Sequence, residues 1–426
     1  MAFLTLEDPN AKIKGSRDPL GMQPVWISFA RHLISNLTTQ STSVRGFTIF
    51  ILGRYFANLL VEDRALSREK VVDVFLRMEQ LGAYARYVKH NVQDDIRGIE
   101  RVNAFVHDNK GKVYIEPNKR GMILSDQKVY GLWGFYSIPA RVSGLIPDGP
   151  LGIEDETRKF IERNYSPSLS DVVSPLRRLL VEGGQINVKN NRIIDVMSKT
   201  LPRHFTKKEF SFYTDYVSNG SHVKSDAGDR QARFCRLLEN YAKLESGVGR
   251  EEVVLLKEKA GKRDEDIARY LDRIICLESI LAPADTIFGF VLTQNEQTPK
   301  EVSSKLMNAW GRSFPNLNID NFNTLIPEIE ETSTKSIASA MKSCYLSLAN
   351  GDYTEAIMSI LEWNKRVMEE RKSSPWVLVS DRGRIDVRYK GLDSILPDGD
   401  KLPTLWRNNY FIDSLKSILS QLRNVR

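Results

Sequence analysis

Apolar residues along most of the chain recur every three to four positions, which is the spacing of helices that bury one face. The first such stripe runs through Trp26, Phe29, Leu33 and Leu37. Similar stripes follow in the stretches Val71–Val88, Ile96–Val106 and Asp264–Leu281. The pattern predicts a mainly α protein made of multi-helix domains.

The most apolar segment is Gly46–Val61, which carries Arg54 in its middle. It falls short of the roughly 20 apolar residues that a bilayer-spanning helix needs, so it is predicted to be a buried core helix. Two capping boxes, Thr206–Glu209 (TKKE) and Thr298–Glu301 (TPKE), predict helix starts. The segments Ile337–Leu348 and Thr354–Glu370 are expected to form an αα-hairpin.

Period-two alternation is confined to short segments. Trp376–Val379 and Arg384–Tyr389 flank the turn SDRG and predict a small C-terminal β-hairpin. A short strand is predicted at Lys112–Glu116, followed by an apolar helix over Ser125–Leu145 that is interrupted by Gly131, Gly134 and Pro139. A last helix is predicted at Leu405–Leu422.

The order helix, helix, strand, turn and helix suggests a winged-helix-like unit near residues 70–145. Its last helix is apolar nearly all round, which suits a core or a protein contact better than a DNA groove.

Chain length favours more than one domain. Two prolines and two glycines fall within Pro147–Gly152 (PDGPLG), a composition typical of a boundary. We therefore predict a basic helical N-terminal domain over 1–150 and a helical middle domain over 151–312. A C-terminal region over 313–426 is predicted to hold the helical hairpin and the β-hairpin.

Composition is that of a folded globular protein, with 41% apolar and 27% charged residues. The net charge of +7 is concentrated near the N-terminus, because residues 1–150 hold 20 basic and 15 acidic residues against 41 and 39 in the rest. The first residues do not have the pattern of a secretion signal, and the three cysteines are far apart. We expect a soluble cytoplasmic protein that has no disulfides and does not span a membrane.

The basic excess points to a nucleic-acid partner, most simply DNA, because Lys and Arg spaced along a surface neutralise phosphates. A merely solvated face and an acidic protein partner are the alternatives. The candidate nucleic-acid-binding residues are Lys12, Lys14, Arg17, Arg97, Arg101, Lys110, Lys112, Lys119 and Arg120.

No motif predicts a reaction, because the sequence contains no GxxxxGK[ST], HExxH or GxSxG. No catalytic residue, metal ligand or cofactor is predicted, and a role other than catalysis is favoured. Two carboxylate clusters resemble metal-dependent nuclease sites, although a helix start and a turn explain them more simply. They are Asp148, Glu154, Glu156 and Lys159, and Asp386, Asp398, Asp400 and Lys401.

Two tryptophans near helix ends, Trp363 and Trp406, are candidate anchors for a protein partner, with an ordinary core role as the alternative. The glycine-rich segment Gly131–Gly144 is expected to let helices approach closely, and a ligand pocket is its alternative role.

Three stretches, KGSRDPLG, YGLWGFYS and ARVSGL, are similar to segments of uncharacterised bacterial proteins encoded beside ATPases and nucleases in anti-phage defence loci. The resemblance implies a bacterial cytoplasmic protein that works with other subunits, such as an ATPase or a nuclease, and it assigns no role to any residue. The resulting hypothesis is a non-catalytic accessory or scaffold subunit that contacts DNA through its N-terminal third. A metal-dependent nuclease using Asp386, Asp398 and Lys401, and a stand-alone DNA-binding regulator, remain open alternatives.

Overall fold

The structure is a computed structural model that describes residues 18–225, 227–312, 314, 317–389, 395–423 and 425. As predicted, it is mainly helical, with a small two-stranded antiparallel sheet near the C-terminus. The chain forms two compact units, each built from two separate segments. Unit 1 contains the described residues up to His32 together with Val248–Tyr410, and unit 2 contains Leu33–Gly247 together with the described residues from Phe411 onward.

Unit 2 is organised around two long helices, α2 (Val44–Glu62) and α3 (Val71–His90). Nearly all of α2 is buried, as its continuous apolar sequence predicts, and its N-terminus is capped by the side chain of Ser43. In chain order the helices and strands of unit 2 are α2 Val44–Glu62, α3 Val71–His90, α4 Ile99–Asp108, β1 Lys112–Ile115, α5 Gln127–Tyr130, α6 Leu132–Val142, α7 Asp155–Asn164, α8 Ser166–Leu169, α9 Val173–Glu182, β2 Gly184–Asn187, α10 Arg192–Thr200, α11 Lys207–Tyr213, α12 Ala227–Tyr241 and α20 Ile412–Leu422.

Unit 1 packs around the helix α14 (Glu265–Val291), whose second half is buried on nearly every side. The predicted helical hairpin is present as α18 and α19, and the predicted C-terminal β-hairpin is present as β3 and β4. In chain order the helices and strands of unit 1 are α1 Met22–Arg31, α13 Arg250–Gly261, α14 Glu265–Val291, α15 Pro299–Trp310, α16 Ile319–Asn323, α17 Ile326–Thr332, α18 Lys335–Ala349, α19 Tyr353–Glu370, β3 Val377–Val379 and β4 Ile385–Val387.

Both predicted domain boundaries, near residues 150 and 312, lie inside these units. The PDGPLG turn is held within unit 2 by Arg54, a buried residue of α2 that donates hydrogen bonds to the carbonyls of Gly149, Pro150 and Gly152. Gly311, at the other predicted boundary, accepts a hydrogen bond of 2.9 Å from the Tyr353 hydroxyl. Buried polar contacts therefore fix both loops.

The predicted winged-helix-like unit near residues 70–145 does not form, because β1 pairs outside that range. Its partner is β2, in the register Lys112↔Asn187 to Ile115↔Gly184, about 70 residues along the chain. The wing would need a local hairpin, and β1 is the one strand described between residues 70 and 145.

Two predicted helices differ in the structure, one by an internal break and the other by a later start. The helix expected over Ser125–Leu145 is broken at Gly131, because the N–H of Leu132 donates to the carboxylate of Glu79 and α6 starts afresh there. The last helix begins at Ile412 instead of Leu405. Buried Glu278 accepts the backbone N–H groups of residues 407 and 408, which holds the preceding segment outside a helix.

Two helices within the described residues, α2 and α14, are long and apolar enough to cross a membrane. In each, most of the apolar window is buried against the rest of the protein, 89% for α2 and 78% for α14. Burial of this kind is typical of core helices, so length and composition give only weak evidence of a membrane span.

Candidate nucleic-acid interface

The ribbon formed by β1 and β2 presents a polar face to solvent. Val113 and Ile115 point into unit 2 and are buried, whereas Lys112 and Tyr114 point outward, as alternation along a strand requires. On β2 the residues opposite Lys112 and Tyr114 are Asn187 and Gln185, and both are exposed. One face of the ribbon thus carries a lysine, an aromatic ring and two amides.

Basic side chains surround this face. Lys110 lies in the turn before β1 in the left-handed region, at a φ of 52°. Lys119 and Arg120 follow β1, and the Arg120 guanidinium lies 4.0 Å from the centre of the Tyr114 ring. All four basic side chains, including Lys112, are exposed, and none forms an ion pair with any described residue.

Arg101 extends the basic surface onto α4. It is exposed, and its Nη1 donates a long hydrogen bond of 3.4 Å to the carbonyl of Met122, shortly after Arg120 in the chain. The same helix also carries exposed Glu100 and Asp108, which reduce the local positive potential. Arg101 still forms no ion pair within the part of the chain that is described.

Arg97 differs from the other predicted residues because it is half-buried and held in place. Its Nε donates to the carbonyl of Tyr130 at 2.9 Å, its Nη2 donates to Gln40 at 3.1 Å, and its guanidinium lies 4.2 Å over the Phe135 ring. Arg97 therefore has little freedom to follow a nucleic-acid backbone, and instead lines a cavity described below.

Lys189 belongs to the same surface but was not predicted. It lies two residues after the end of β2 and is exposed. It also lies beside the turn before β1, because a Cβ on Gly111 would stand 2.9 Å from its Cγ. The residues of β2, GQIN, contain a single large apolar side chain and show no alternation, so their pattern does not predict a strand. We define the ribbon surface as Arg101, Lys110, Lys112, Tyr114, Lys119, Arg120 and Lys189.

The three remaining predicted residues, Lys12, Lys14 and Arg17, lie outside the described residues.

A cavity of about 250 Å³ opens beside α4 in unit 2. Glu79, Arg86, Asp94, Asp95 and Arg97 are the charged residues that line it. Glu79 is 2% exposed, and burial raises its pKa to about 7, although hydrogen bonds from Gln127 and Leu132 favour the ionised form. No sequence motif marks this site, because its residues come from α2, α3, α6 and the loops around α4.

The predicted partner anchors differ in their burial. Trp363 is completely buried in the core of unit 1, so in this structure it cannot contact a partner, and the alternative core role applies. Trp406 is half-buried, with its ring centre 5.7 Å from that of Tyr410.

The candidate nuclease clusters form local ion pairs. Lys401 pairs with Asp398 at 3.2 Å, and Asp386 pairs with Arg388 at 3.3 Å. Lys159 likewise pairs with Glu156 at 2.7 Å. Across the described ranges, no three His, Cys, Asp or Glu residues are placed so that they could hold a metal ion together.

No protein-family model, no curated protein and no solved structure matches this chain.

Proposed function

We propose that this protein is a non-catalytic accessory subunit of a bacterial cytoplasmic complex, active in anti-phage defence, that binds nucleic acid through the ribbon surface. One observation carries the nucleic-acid part of the proposal. Lys and Arg residues on β1, around it and after β2 are exposed and form no ion pair with the described residues.

Three other arginines of unit 2 are already paired with acids. Arg178 pairs with Glu182, Arg177 with Asp63 and Arg192 with Asp171. Such pairs neutralise their own charge and leave little potential for a polyanion. The cations of the ribbon surface form no such pairs, so their positive charge favours phosphate contacts and release of counterions.

Tyr114 adds an aromatic ring to the same face. Aromatic rings stack on unpaired bases without regard to sequence, and a two-stranded ribbon can also enter a duplex groove. Single-stranded and duplex nucleic acids are therefore both suitable probes.

Fluorescence anisotropy with a labelled 30-nucleotide strand and a labelled 30-base-pair duplex tests the proposal. We expect the triple variant Lys112→Ala/Lys119→Ala/Arg120→Ala to bind roughly 10- to 100-fold more weakly than the wild type. The matched control, Lys199→Ala/Lys207→Ala/Lys208→Ala, removes three exposed lysines from α10 and α11 of the same unit. Equal losses in the two variants, or no binding by the wild type, would reject the ribbon surface as the interface.

Exposed apolar side chains support the part of the proposal that concerns protein partners. Val129 and Tyr130 on α5 and Ile138 on α6 are 50%, 39% and 53% exposed. Exposed apolar groups in one region are typical of surfaces that a protein partner covers. These exposed groups support a protein partner, and so favour an accessory subunit over a stand-alone regulator.

Co-purification from the native host tests this part. We expect the tagged wild-type protein to carry a defined partner, and Val129→Glu/Ile138→Glu to lose it while keeping the wild-type affinity for nucleic acid. A protein that purifies alone and binds DNA unaided would instead support the stand-alone regulator.

A further inference from the structure

The cavity beside α4 has apolar walls and a buried acid. Ile49, Ile96, Ile123 and Leu132 contribute apolar lining, which suits the faces of a planar ring. Its volume of about 250 Å³ is small and fits a single heterocycle better than an extended ligand. Glu79 lines the same cavity and is the most deeply buried of its charged residues.

The Glu79 carboxylate is held in a fixed orientation. Its Oε1 accepts the N–H of Leu132 at 2.7 Å, and its Oε2 accepts Nε2 of Gln127 at 2.9 Å. Gln127 cannot present its oxygen instead, because its Oε1 already accepts from Gln80 and from the N–H of Ile123. Each carboxylate oxygen has a second lone-pair direction, so the group can still accept two further hydrogen bonds.

Gly131 makes room for this carboxylate. A Cβ at that position would lie 2.7 Å from Oε1 and 2.8 Å from Oε2 of Glu79. A side chain at this position would clash with the Glu79 carboxylate, which explains the glycine. The break between α5 and α6 directs the Leu132 N–H toward the same carboxylate.

The other charged groups that line the cavity are two aspartates and two arginines, so their formal charges cancel. Arg86 is paired with Asp95 at 2.6 Å, whereas Asp94 is exposed. Arg97 lines the cavity and interacts favourably with ionised Glu79, and its charge repels a cation at the opening. The Tyr136 hydroxyl, the remaining titratable group, accepts the N–H of Ser43 at 3.0 Å.

We propose that this cavity binds a guanine base through the Glu79 carboxylate. Guanine presents two adjacent N–H donors on its Watson–Crick edge, which matches two free acceptor directions on one carboxylate. Adenine and cytosine present one donor beside one acceptor, and an ionised carboxylate repels that acceptor. Arg97 and the exposed Arg101 nearby on α4 supply cations for the attached phosphate.

The guanine has two sources, a free nucleotide or an unpaired guanosine in a strand. In the second case the inference rests on the proposed nucleic-acid function. The two sources share the same base chemistry, so they are distinguished by the probe.

Calorimetry with GMP and AMP on the wild-type protein at pH 8 tests the base. We expect GMP to bind at least about tenfold more tightly than AMP, because the carboxylate accepts both guanine donors and repels the adenine acceptor. Equal affinities, no binding of either nucleotide, or tighter binding of free arginine than of GMP would overturn the proposal.

Protonation gives a second readout. Because Glu79 has a pKa of about 7, GMP affinity should fall roughly tenfold between pH 8 and pH 6, as the ionised fraction falls. Glu79→Gln should lose both the preference for GMP and this pH dependence. Glu182→Gln, at an exposed residue of α9, serves as the control, and a thermal melt confirms that each variant is folded.

Oligonucleotides separate this inference from the proposed function. A 12-nucleotide strand with one central guanine should bind more tightly than the same strand without it, and Glu79→Gln should remove the difference. If both strands bind equally and GMP does not bind, the cavity proposal fails while the nucleic-acid function stands. If GMP binds and neither strand does, the cavity proposal stands for the free nucleotide and the nucleic-acid function fails.

Discussion

Two buried glutamates of unit 2 show how surroundings decide the charge of a carboxyl group. Burial raises the pKa of Glu79, which has only neutral donors in hydrogen-bond contact. Glu209 is also desolvated by burial, yet its pKa is lowered, because Arg45 lies against it and the Tyr165 hydroxyl and the Thr206 N–H donate to it. At Glu209 a charged partner in direct contact outweighs the cost of burial, whereas Glu79 has no charged group in hydrogen-bond contact.

The raised pKa of Glu79 predicts a loss of stability as pH rises. Between the ordinary value of 4.5 and the folded value of about 7, the folded state keeps a proton that the unfolded state has released. Stability therefore falls across this window, by about 3 kcal/mol once pH exceeds 7. Glu79→Gln should remove this component.

The measurement is denaturant unfolding of both proteins at pH 5 and pH 8. We expect the difference in unfolding free energy, variant minus wild type, to shift in favour of the variant by about 2.5 kcal/mol between the two pH values. The amide also places an N–H toward an existing donor, but that cost is the same at both pH values and cancels. A difference that does not change with pH would contradict the assignment.

The buried ion pair of Arg45 and Glu209 leads to a second prediction. Their Nη1 and Oε1 atoms are 2.5 Å apart, and both side chains are almost fully buried. Arg45→Met should lower the unfolding free energy by about 3 to 5 kcal/mol, because Glu209 keeps its burial and loses its counter-charge.

The exposed pair of Arg178 and Glu182 provides the control, since 78% and 60% of the two side chains are exposed. Arg178→Met should cost less than about 1 kcal/mol. Similar losses in the two variants would mean that burial does not determine the strength of the pair.

At the scale of elements, the start of α4 depends on Gly98. Its φ of 75° is in the left-handed region, and a Cβ there would lie 2.1 Å from the carbonyl oxygen of Ile123. Gly383 has nearly the same φ, 71°, with open space around it. Comparing substitutions at these two glycines therefore separates the cost of the left-handed backbone from the cost of steric crowding.

We expect Gly383→Ala to cost about 1 kcal/mol and Gly98→Ala about 2 to 3 kcal/mol, measured by denaturant unfolding. The extra cost reflects displacement of the segment around Ile123, which also lines the cavity. Equal costs would show that this segment moves freely to accept the methyl group.

Elements with strong local signals were predicted correctly from the sequence. Both capping boxes, Thr206–Glu209 and Thr298–Glu301, form as predicted. The hairpin of α18 and α19 and the sheet of β3 and β4 also agree, because periodicity and turn residues are local properties. The strand β2 was missed because its pairing with β1 supplies the stability that its own sequence lacks.

The candidate sites were predictable only in part, for the same reason. The exposed cations around β1 could be read from the sequence, whereas Lys189 depends on the pairing of β1 with β2. A ligand pocket was only the alternative role predicted for Gly131–Gly144, which contributes Leu132 and Tyr136 to the cavity. The other lining residues come from several helices and loops, so the sequence did not indicate them. Gly131 marked an interruption in the predicted helix, whereas the break into two separate helices depends on the distant carboxylate of Glu79.

At the scale of the whole molecule, each unit is made from two distant stretches of chain. Predicting a boundary from local composition assumes that each domain is one continuous stretch of chain. The PDGPLG turn has the composition of such a boundary. Arg54 instead ties the turn to α2 within unit 2. Proline and glycine indicate a turn here. The hydrogen bonds from buried Arg54 hold that turn inside unit 2.

The central claim is that unpaired cations of the ribbon surface contact phosphates, and the salt dependence of duplex binding tests it most directly. The logarithm of the association constant should fall linearly with the logarithm of NaCl concentration. Lys112→Ala/Lys119→Ala/Arg120→Ala should reduce the magnitude of that slope by about 2.7, since each lost phosphate contact removes roughly 0.9. A slope that is the same in the wild type and the triple variant would contradict the account.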